Sequence, residues 1–379
     1  MKVNIGIDAS RNRSGGARAH IIGILESLNI EEHDIGDIHI WTYQELAEQL
    51  PKKSWIKVHI PKELNKSMVV QLYWQKFTLP KELKQNGVDI LLSTDAGTVC
   101  RYEPNVVMSR DMLSFEPVEI ERYFPSKSWL RLFILKYVQL KSIVSSNASI
   151  FLTSYARDVI LGHVSSEKVT HTVIPHGISD DFRKEPRVLK DGTSLRFIYV
   201  SNADKYKHQW VLIEAFSEFL DSYPEATLTL VGANSGPCRD LVLDSVRRVG
   251  DKASSIEVLS FVKHDSIPEL LNQHDVFIFA SSCENMPNTL IEAMAAGLPI
   301  LSSDRGPMPE VLEGSGILFN PEKKASIIKA LNIATDCTLL NSNSKLSYKK
   351  ALEYSWKRCA NETFNYLLKV NEKIRGCDD

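Results

Sequence analysis

Two glutamates eight positions apart, Glu284 and Glu292, flank the start of the segment Ala280–Pro299, which has the makings of a ligand site. Pro287 suits the first turn of a helix, where its missing N–H would have had no partner. Leu290 to Ala296 are strong helix formers, and Gly297-Leu298-Pro299 closes the helix. The spacing therefore predicts a helix whose first-turn N–H groups, near Asn288 and Thr289, are open to a phosphate. Near-helical spacing puts the two carboxylates on roughly one side. One can accept hydrogen bonds from sugar hydroxyls at the helix start, and the other can take both hydroxyls of a ribose.

These residues need a scaffold, and the chain supplies a repeated one. Short apolar, β-branched-rich runs at Val3–Ile7, Ile38–Trp41, Trp55–Ile60, Ile90–Leu92, Val106–Met108 and Ile150–Leu152 predict strands. Helical stretches such as Ala19–Leu28 and Trp129–Val144 fall between them. After a polar stretch with Pro and Gly the pattern restarts at Arg196–Val200 and continues at Thr227–Val231, Ile256–Leu259, Val276–Phe279 and Ile300–Ser302. Strands alternating with helices predict α/β architecture with parallel sheets. The expected layout is a first doubly wound domain over 1–180, a linker over 181–195, a second domain over 196–355, and a C-terminal helix over 356–379 returning to the first domain. In open α/β sheets ligands bind outside the C-terminal ends of the strands, so the chemistry belongs on loops just after strands.

Glu284 to Pro299, continuing into Ser303-Asp304-Arg305-Gly306-Pro307-Met308-Pro309-Glu310-Val311, resembles the Glu-x7-Glu region of the retaining GT-B glycosyltransferases, specifically glycosyltransferase family 4. The resemblance implies two Rossmann-like domains with the active site in the cleft between them. It implies transfer of a hexose from a nucleoside-diphosphate sugar with retention of configuration, no cofactor and no essential metal. Glu292 would bind the nucleotide ribose, while Glu284 and the backbone of Asn285, Met286, Pro287, Asn288 and Thr289 would hold the donor sugar and diphosphate. Where the family usually has Gly-Phe-Gly-Leu-Pro, this chain has Asn-Met-Pro-Asn-Thr, wording similar to bacterial O-antigen and capsule transferases. That implies an oligosaccharide or lipid-linked saccharide acceptor. A GT-B phosphorylase, a sugar-nucleotide epimerase and a non-catalytic sugar-nucleotide-binding subunit are the alternatives.

Tyr199 to Phe216 resembles the family's strand–loop–helix that grips the diphosphate through an Arg and a Lys. Lys207 falls on the Lys, but the Arg position is occupied by Asn202, with Lys205 as a substitute cation nearby. A departing diphosphate gains negative charge in the transition state, and cations in a dry site stabilise it there. In the first domain, Ser14-Gly15-Gly16 matches the family's glycine-rich loop, where missing side chains let backbone approach a ligand. No Gly-Lys-Ser/Thr follows, so it is not a Walker loop. Arg110-Asp111 stands where the family has His-Asp, and fits either a phosphate or acceptor contact or a structural Arg–Asp pair. His176, in Ile174-Pro175-His176-Gly177, reads as a linker contact.

Composition narrows the partners. A net charge of −2 gives no support to nucleic-acid binding. Six scattered cysteines, with no Cys-x-x-Cys pair, argue against a zinc site or a disulfide framework and favour a reduced, cytoplasmic setting. No Asp-x-Asp triplet occurs, so the metal–diphosphate device of the other major glycosyltransferase fold is missing. From Arg122 through Arg157 there are six basic residues and no acidic one, interleaved with Trp129, Phe133 and Tyr137. Such a helix can lie on anionic lipid at the inner membrane surface, or pack on its domain with its lysines in water.

Overall fold

Why these runs become strands is visible in their burial. In Ile90–Ser93 and in Val276–Phe279 every residue is buried, although neighbouring side chains point to opposite sheet faces. Both faces of each sheet are therefore covered, as a purely parallel sheet requires. The computed structural model describes residues 2–13, 15–165 and 169–376; Ser14 and Cys377 lie outside them. Among the described residues there are two parallel sheets.

The first unit comprises Met1–Gly177 with Ser355–Asp379, and the second Ile178–Tyr354. In the first, β1 (Val3–Asp8), β2 (Ile35–Trp41), β3 (Ile56–His59), β4 (Ile90–Ser93), β5 (Asn105–Met108), β6 (Ala148–Phe151) and β7 (His171–Val173) lie in the order β3-β2-β1-β4-β5-β6-β7. In the second, β8 (Arg196–Val200), β9 (Thr227–Val231), β10 (Ile256–Leu259), β11 (Val276–Phe279), β12 (Ile300–Ser303) and β13 (Ile317–Phe319) lie in the order β10-β9-β8-β11-β12-β13. Both are doubly wound, Rossmann-like sheets. The strand order reverses between β1 and β4 and between β8 and β11, and the loops that diverge there leave a crevice.

Two edge strands, β7 and β13, escape the sequence pattern. Each has three residues, too few to show a period. The stretch expected as a linker, 181–195, is bonded along its length to the second unit. Phe182 is buried, the Lys184 N–H donates to the Ala295 carbonyl at 2.9 Å, and Leu189 exchanges hydrogen bonds with the Asn341 amide at 2.8 and 2.9 Å. Backbone groups laid against protein need such partners.

The last helix, Trp356–Arg375, is capped by Ser355 and packs on helix Gly15–Ser27 of the first unit. Glycine permits the approach at two places. A Cβ on Gly23 would sit 2.3 Å from the Trp356 ring, and one on Gly177 would sit 2.2 Å from the Trp356 backbone nitrogen. Beside that contact, His20 Nδ1 and His176 Nε2 are 2.8 Å apart and both residues are buried. His176 is thus an internal partner of His20. A second pair, His39 and His59, is 3.0 Å apart and stacks with Trp41.

Burial lowers the pKa of His20, with the His176 and Arg110 charges adding to the effect, and burial lowers those of His39 and His59 too. The folded first unit keeps these rings neutral, whereas the unfolded chain takes up protons as pH falls through about 6.5. Stability is then lost as pH drops below that value, down to the depressed folded pKa values. Calorimetry should show the first unit's melting temperature falling between pH 7 and pH 5. The variant His39→Phe/His59→Phe should flatten that slope.

Candidate functional site

At the β8/β11 reversal of the second unit, the loops after the two strands are stitched together. Asp204 caps a single 3-10 turn, Lys205–Lys207, by accepting from the Lys205 N–H at 2.7 Å. His208 follows at φ 49°, a left-handed conformation costing a non-glycine residue about 1–3 kcal/mol. Neighbouring bonds hold it: His208 Nε2 lies 2.8 Å from Ser282 Oγ, and the Ser282 N–H donates to the Tyr206 carbonyl at 2.8 Å. The chain then enters helix Gln209–Phe219, leaving the Lys207 side chain turned into the sheet edge.

Lys207 is buried, and its ammonium ion-pairs with Glu284. Its Nζ lies 4.9 Å from the Tyr206 ring centre and 5.5 Å from that of Phe279, so aromatic faces complete its surroundings. Glu284 Oε1 also accepts from Ser281 Oγ at 2.6 Å. Both contacts use one carboxylate oxygen, so Oε2 retains acceptor capacity. Glu284 is held by loop partners, not by the helical periodicity inferred from its spacing to Glu292.

Helix Asn288–Ala295 starts one residue later than its composition suggests. Pro287, at φ −84° and ψ 79°, is the cap and not the first helical residue. Its carbonyl accepts from the Leu290 and Ile291 N–H groups at 3.1 Å, and the Asn288 N–H folds back onto the Met286 carbonyl at 3.1 Å. Asn288 therefore does not share the open first-turn role with Thr289. The side chains of Asn285, Met286 and Pro287 are buried, so what this stretch offers a ligand is backbone.

One turn into that helix sits Glu292, 7% exposed, with His264 Nε2 2.9 Å from its Oε1. Hydrogen bonding to Glu292 raises the His264 pKa, and the Glu292 and Asp265 charges add to it against partial burial. No motif in the sequence marks His264. The usable signal was its place on the loop directly after β10. Phe261 in that loop is 81% exposed.

Asn202 is exposed, and its carbonyl accepts from Ser201 Oγ at 3.1 Å. Lys205 is partly buried three positions on. In the first unit, Gly15 and Gly16 lie inside the first turn of helix Gly15–Ser27, not in a loop before it. A Cβ at Gly15 would meet nothing within 4 Å, so the fold itself does not demand glycine there. Arg110 donates to the Ala17 carbonyl at 3.3 Å, and burial pushes its guanidinium down to about 10, although the Asp95 charge opposes the shift. Asp111 accepts instead from the Leu113 N–H, Ser114 Oγ and Gln139 Nε2 at 3.2–3.4 Å. Among the described residues the two form no ion pair, so the structural Arg–Asp pair is not realised.

One segment collects Lys207, Glu284, Glu292 and His264. Residues 194–336 match the family model of the group 1 glycosyl transferases. This group 1 segment starts just before β8 and ends beyond β13. Alpha-monoglucosyldiacylglycerol synthase of Acholeplasma laidlawii is 31% identical over 224 residues, 54% of this chain and 54% of that protein. The chain spans about half the length of the curated relatives it matches. Among solved structures, sucrose-phosphate synthase from Thermosynechococcus elongatus aligns at TM-score 0.77 and 15% identity, covering 97% of this chain and 99% of that one. Anabaena HepE in complex with UDP-glucose aligns at 0.71 and 17%, covering 96% and 100%. The fold is GT-B, built from two Rossmann-like α/β units. Among the described residues no cluster of three His, Cys, Asp or Glu has metal-binding geometry.

Removing one member of a buried pair strands the other charge, whereas replacing both can be neutral. Lys207→Met should therefore destabilise the second unit by about 3–5 kcal/mol. Lys207→Met/Glu284→Leu should recover most of that loss in urea titration; no recovery would show that the two side chains are not energetically coupled.

Proposed function

We propose that the protein is a glycosyltransferase that moves a hexose from a nucleoside-diphosphate sugar to a saccharide hydroxyl. The observation that carries this reading is the Lys207–Glu284 pair at the β8/β11 reversal, placed against the start of helix Asn288–Ala295 within the group 1 segment. The free Oε2 of Glu284 accepts from donor sugar hydroxyls, the Thr289 N–H and Lys207 face the diphosphate, and Glu292 takes the ribose. In the transfer step the bond from the anomeric carbon to the diphosphate oxygen breaks and a bond to the acceptor oxygen forms. The acceptor proton ends on the departing diphosphate. Lys207 and the helix start offset the charge that develops on it. With Oε1 of Glu284 engaged by Lys207 and Ser281, that carboxylate is set to orient substrate and not to attack it. The proposed outcome is retention, with acceptor placement supplying much of the rate, and with Lys207 and the helix start in the place of a metal.

We further propose a lipid-linked surface oligosaccharide as acceptor. The Asn285–Thr289 wording supports it, as does one face of the first unit. Along helix Lys127–Ser145, Leu130, Phe133, Ile134, Tyr137 and Val144 form an exposed apolar stripe, while Leu132, Gln139, Ser142 and Ile143 face inward. Lys127, Arg131 and Lys141 are exposed beside that stripe, and Phe124 meets the Trp129 ring edge-on at 5.4 Å. A basic, aromatic-rich apolar face suits the surface of an anionic bilayer. Among the described residues no helix is long and apolar enough to cross a membrane.

Incubation with a panel of nucleotide sugars, with release of each nucleoside diphosphate measured, should single out one donor, and transfer should persist in EDTA. Glu284→Ala should lower turnover by about 10²–10³-fold. Turnover only with inorganic phosphate would identify a phosphorylase, and isomerisation of the sugar nucleotide alone an epimerase. In a second measurement, the protein should co-sediment with phosphatidylglycerol vesicles but not with phosphatidylcholine vesicles. Phe133→Asp/Tyr137→Asp should abolish that binding; equal sedimentation of this variant would remove the face from consideration.

A further inference from the structure

His264 is a half-exposed side chain from the loop after β10, yet its Nε2 lies 2.9 Å from a carboxylate oxygen of the nearly buried Glu292. One ring contact and one backbone turn fix this part of the loop. The Phe182 ring centre is 5.3 Å from it, and the Ser266 N–H closes the turn below it on the Lys263 carbonyl at 3.0 Å. Phe182 is itself buried in the second unit, so His264 rests on a fixed base. A carboxylate offers about four lone-pair directions, and His264 occupies one. The remainder of Oε1 and all of Oε2 stay available to accept from two adjacent hydroxyls. Without His264, the Glu292 carboxylate would have no other side-chain hydrogen-bond partner among the described residues to fix its torsions.

We infer that His264 is a positioning residue that locks the Glu292 carboxylate in the orientation that takes both ribose hydroxyls, and so sets selection of ribo- over 2′-deoxyribonucleotides. This rests on the reading of Glu292 as the ribose ligand. A carboxylate held in one rotamer meets O2′ and O3′ together, and loss of one hydroxyl leaves an acceptor unmatched. A carboxylate free to turn can follow whichever hydroxyl is present, so discrimination falls even where binding survives.

The test is calorimetric binding of the tightest of UDP, GDP, ADP and CDP, and of its 2′-deoxy form, to the full chain. The wild-type protein is expected to prefer the ribo form by about tenfold or more. His264→Ala should reduce that preference to about threefold or less, with most of the loss on the ribo form. His264→Gln, whose amide nitrogen can donate from a similar position, should restore much of it. An unchanged ratio in His264→Ala would overturn the role of His264 alone. Equal binding of both forms by the wild type, unaffected by Glu292→Ala, would overturn the ribose reading of Glu292 and this inference with it. Melting curves of each variant separate a lost fold from lost selectivity.

Discussion

A buried ammonium cannot stay charged without a counter-charge, and the second unit is arranged around meeting that need for Lys207. Two aromatic rings flank its ammonium and little of the side chain meets water, so Glu284 reaches it from the loop after the next strand of the switch. The requirement fixes more than one residue. Bringing the β8 loop onto the β11 loop sets the Tyr206–Ser282 backbone bond, the left-handed turn at His208, and the small polar residues Ser281 and Ser282. A larger side chain at either serine would push the loops apart.

The first unit repeats the strand order and uses its reversal differently. After β1 and β4, Asp8 accepts from Ser10 Oγ and Gln75 Nε2, each at 2.6 Å, while Thr94 Oγ1 meets the Asn12 amide oxygen at 2.6 Å and the Asp8 carbonyl at 2.8 Å. Tyr43 closes the cluster on the Asn12 carbonyl at 2.6 Å. These polar groups satisfy one another. In the second unit a carboxylate oxygen and a helix start are left for something else. The same topology thus carries different loop chemistry in its two copies, which is why the fold alone chooses no chemistry.

Most of the scaffold was readable from the chain because a parallel strand is a continuous apolar run, and Val276–Phe279 or Thr227–Val231 can be little else. What stayed hidden has identifiable causes. Strands β7 and β13 are shorter than any period. Residues 181–195 look like a linker because their bonds go to side chains distant in sequence, such as Asn341. Glu284 and Glu292 stand out as candidates because they sit in one long, distinctive segment, and Lys207 because it sits in another. His264 does not, since its meaning comes from a 2.9 Å contact to a residue on another element. Gly15 and Gly16 were placed in a loop because glycine pairs favour turns, yet the chain is already helical there.

The two glutamates pose an electrostatic problem that the structure answers twice. Two carboxylates in a partly buried setting need compensation, because charges there are poorly screened. Each acid arrives with its own basic partner from a different loop: Glu284 with Lys207 from the loop after β8, and Glu292 with His264 from the loop after β10. The raised pKa of His264 keeps more positive charge beside Glu292 than a free imidazole would at the same pH. Compensation of this kind lets carboxylates serve as acceptors for hydroxyls while the local field stays tolerant of phosphate. It also bears on Asn202. Asn202 brings no charge to the β8 loop, so the cations there are Lys205 and Lys207, held in one 3-10 turn by the Asp204 cap.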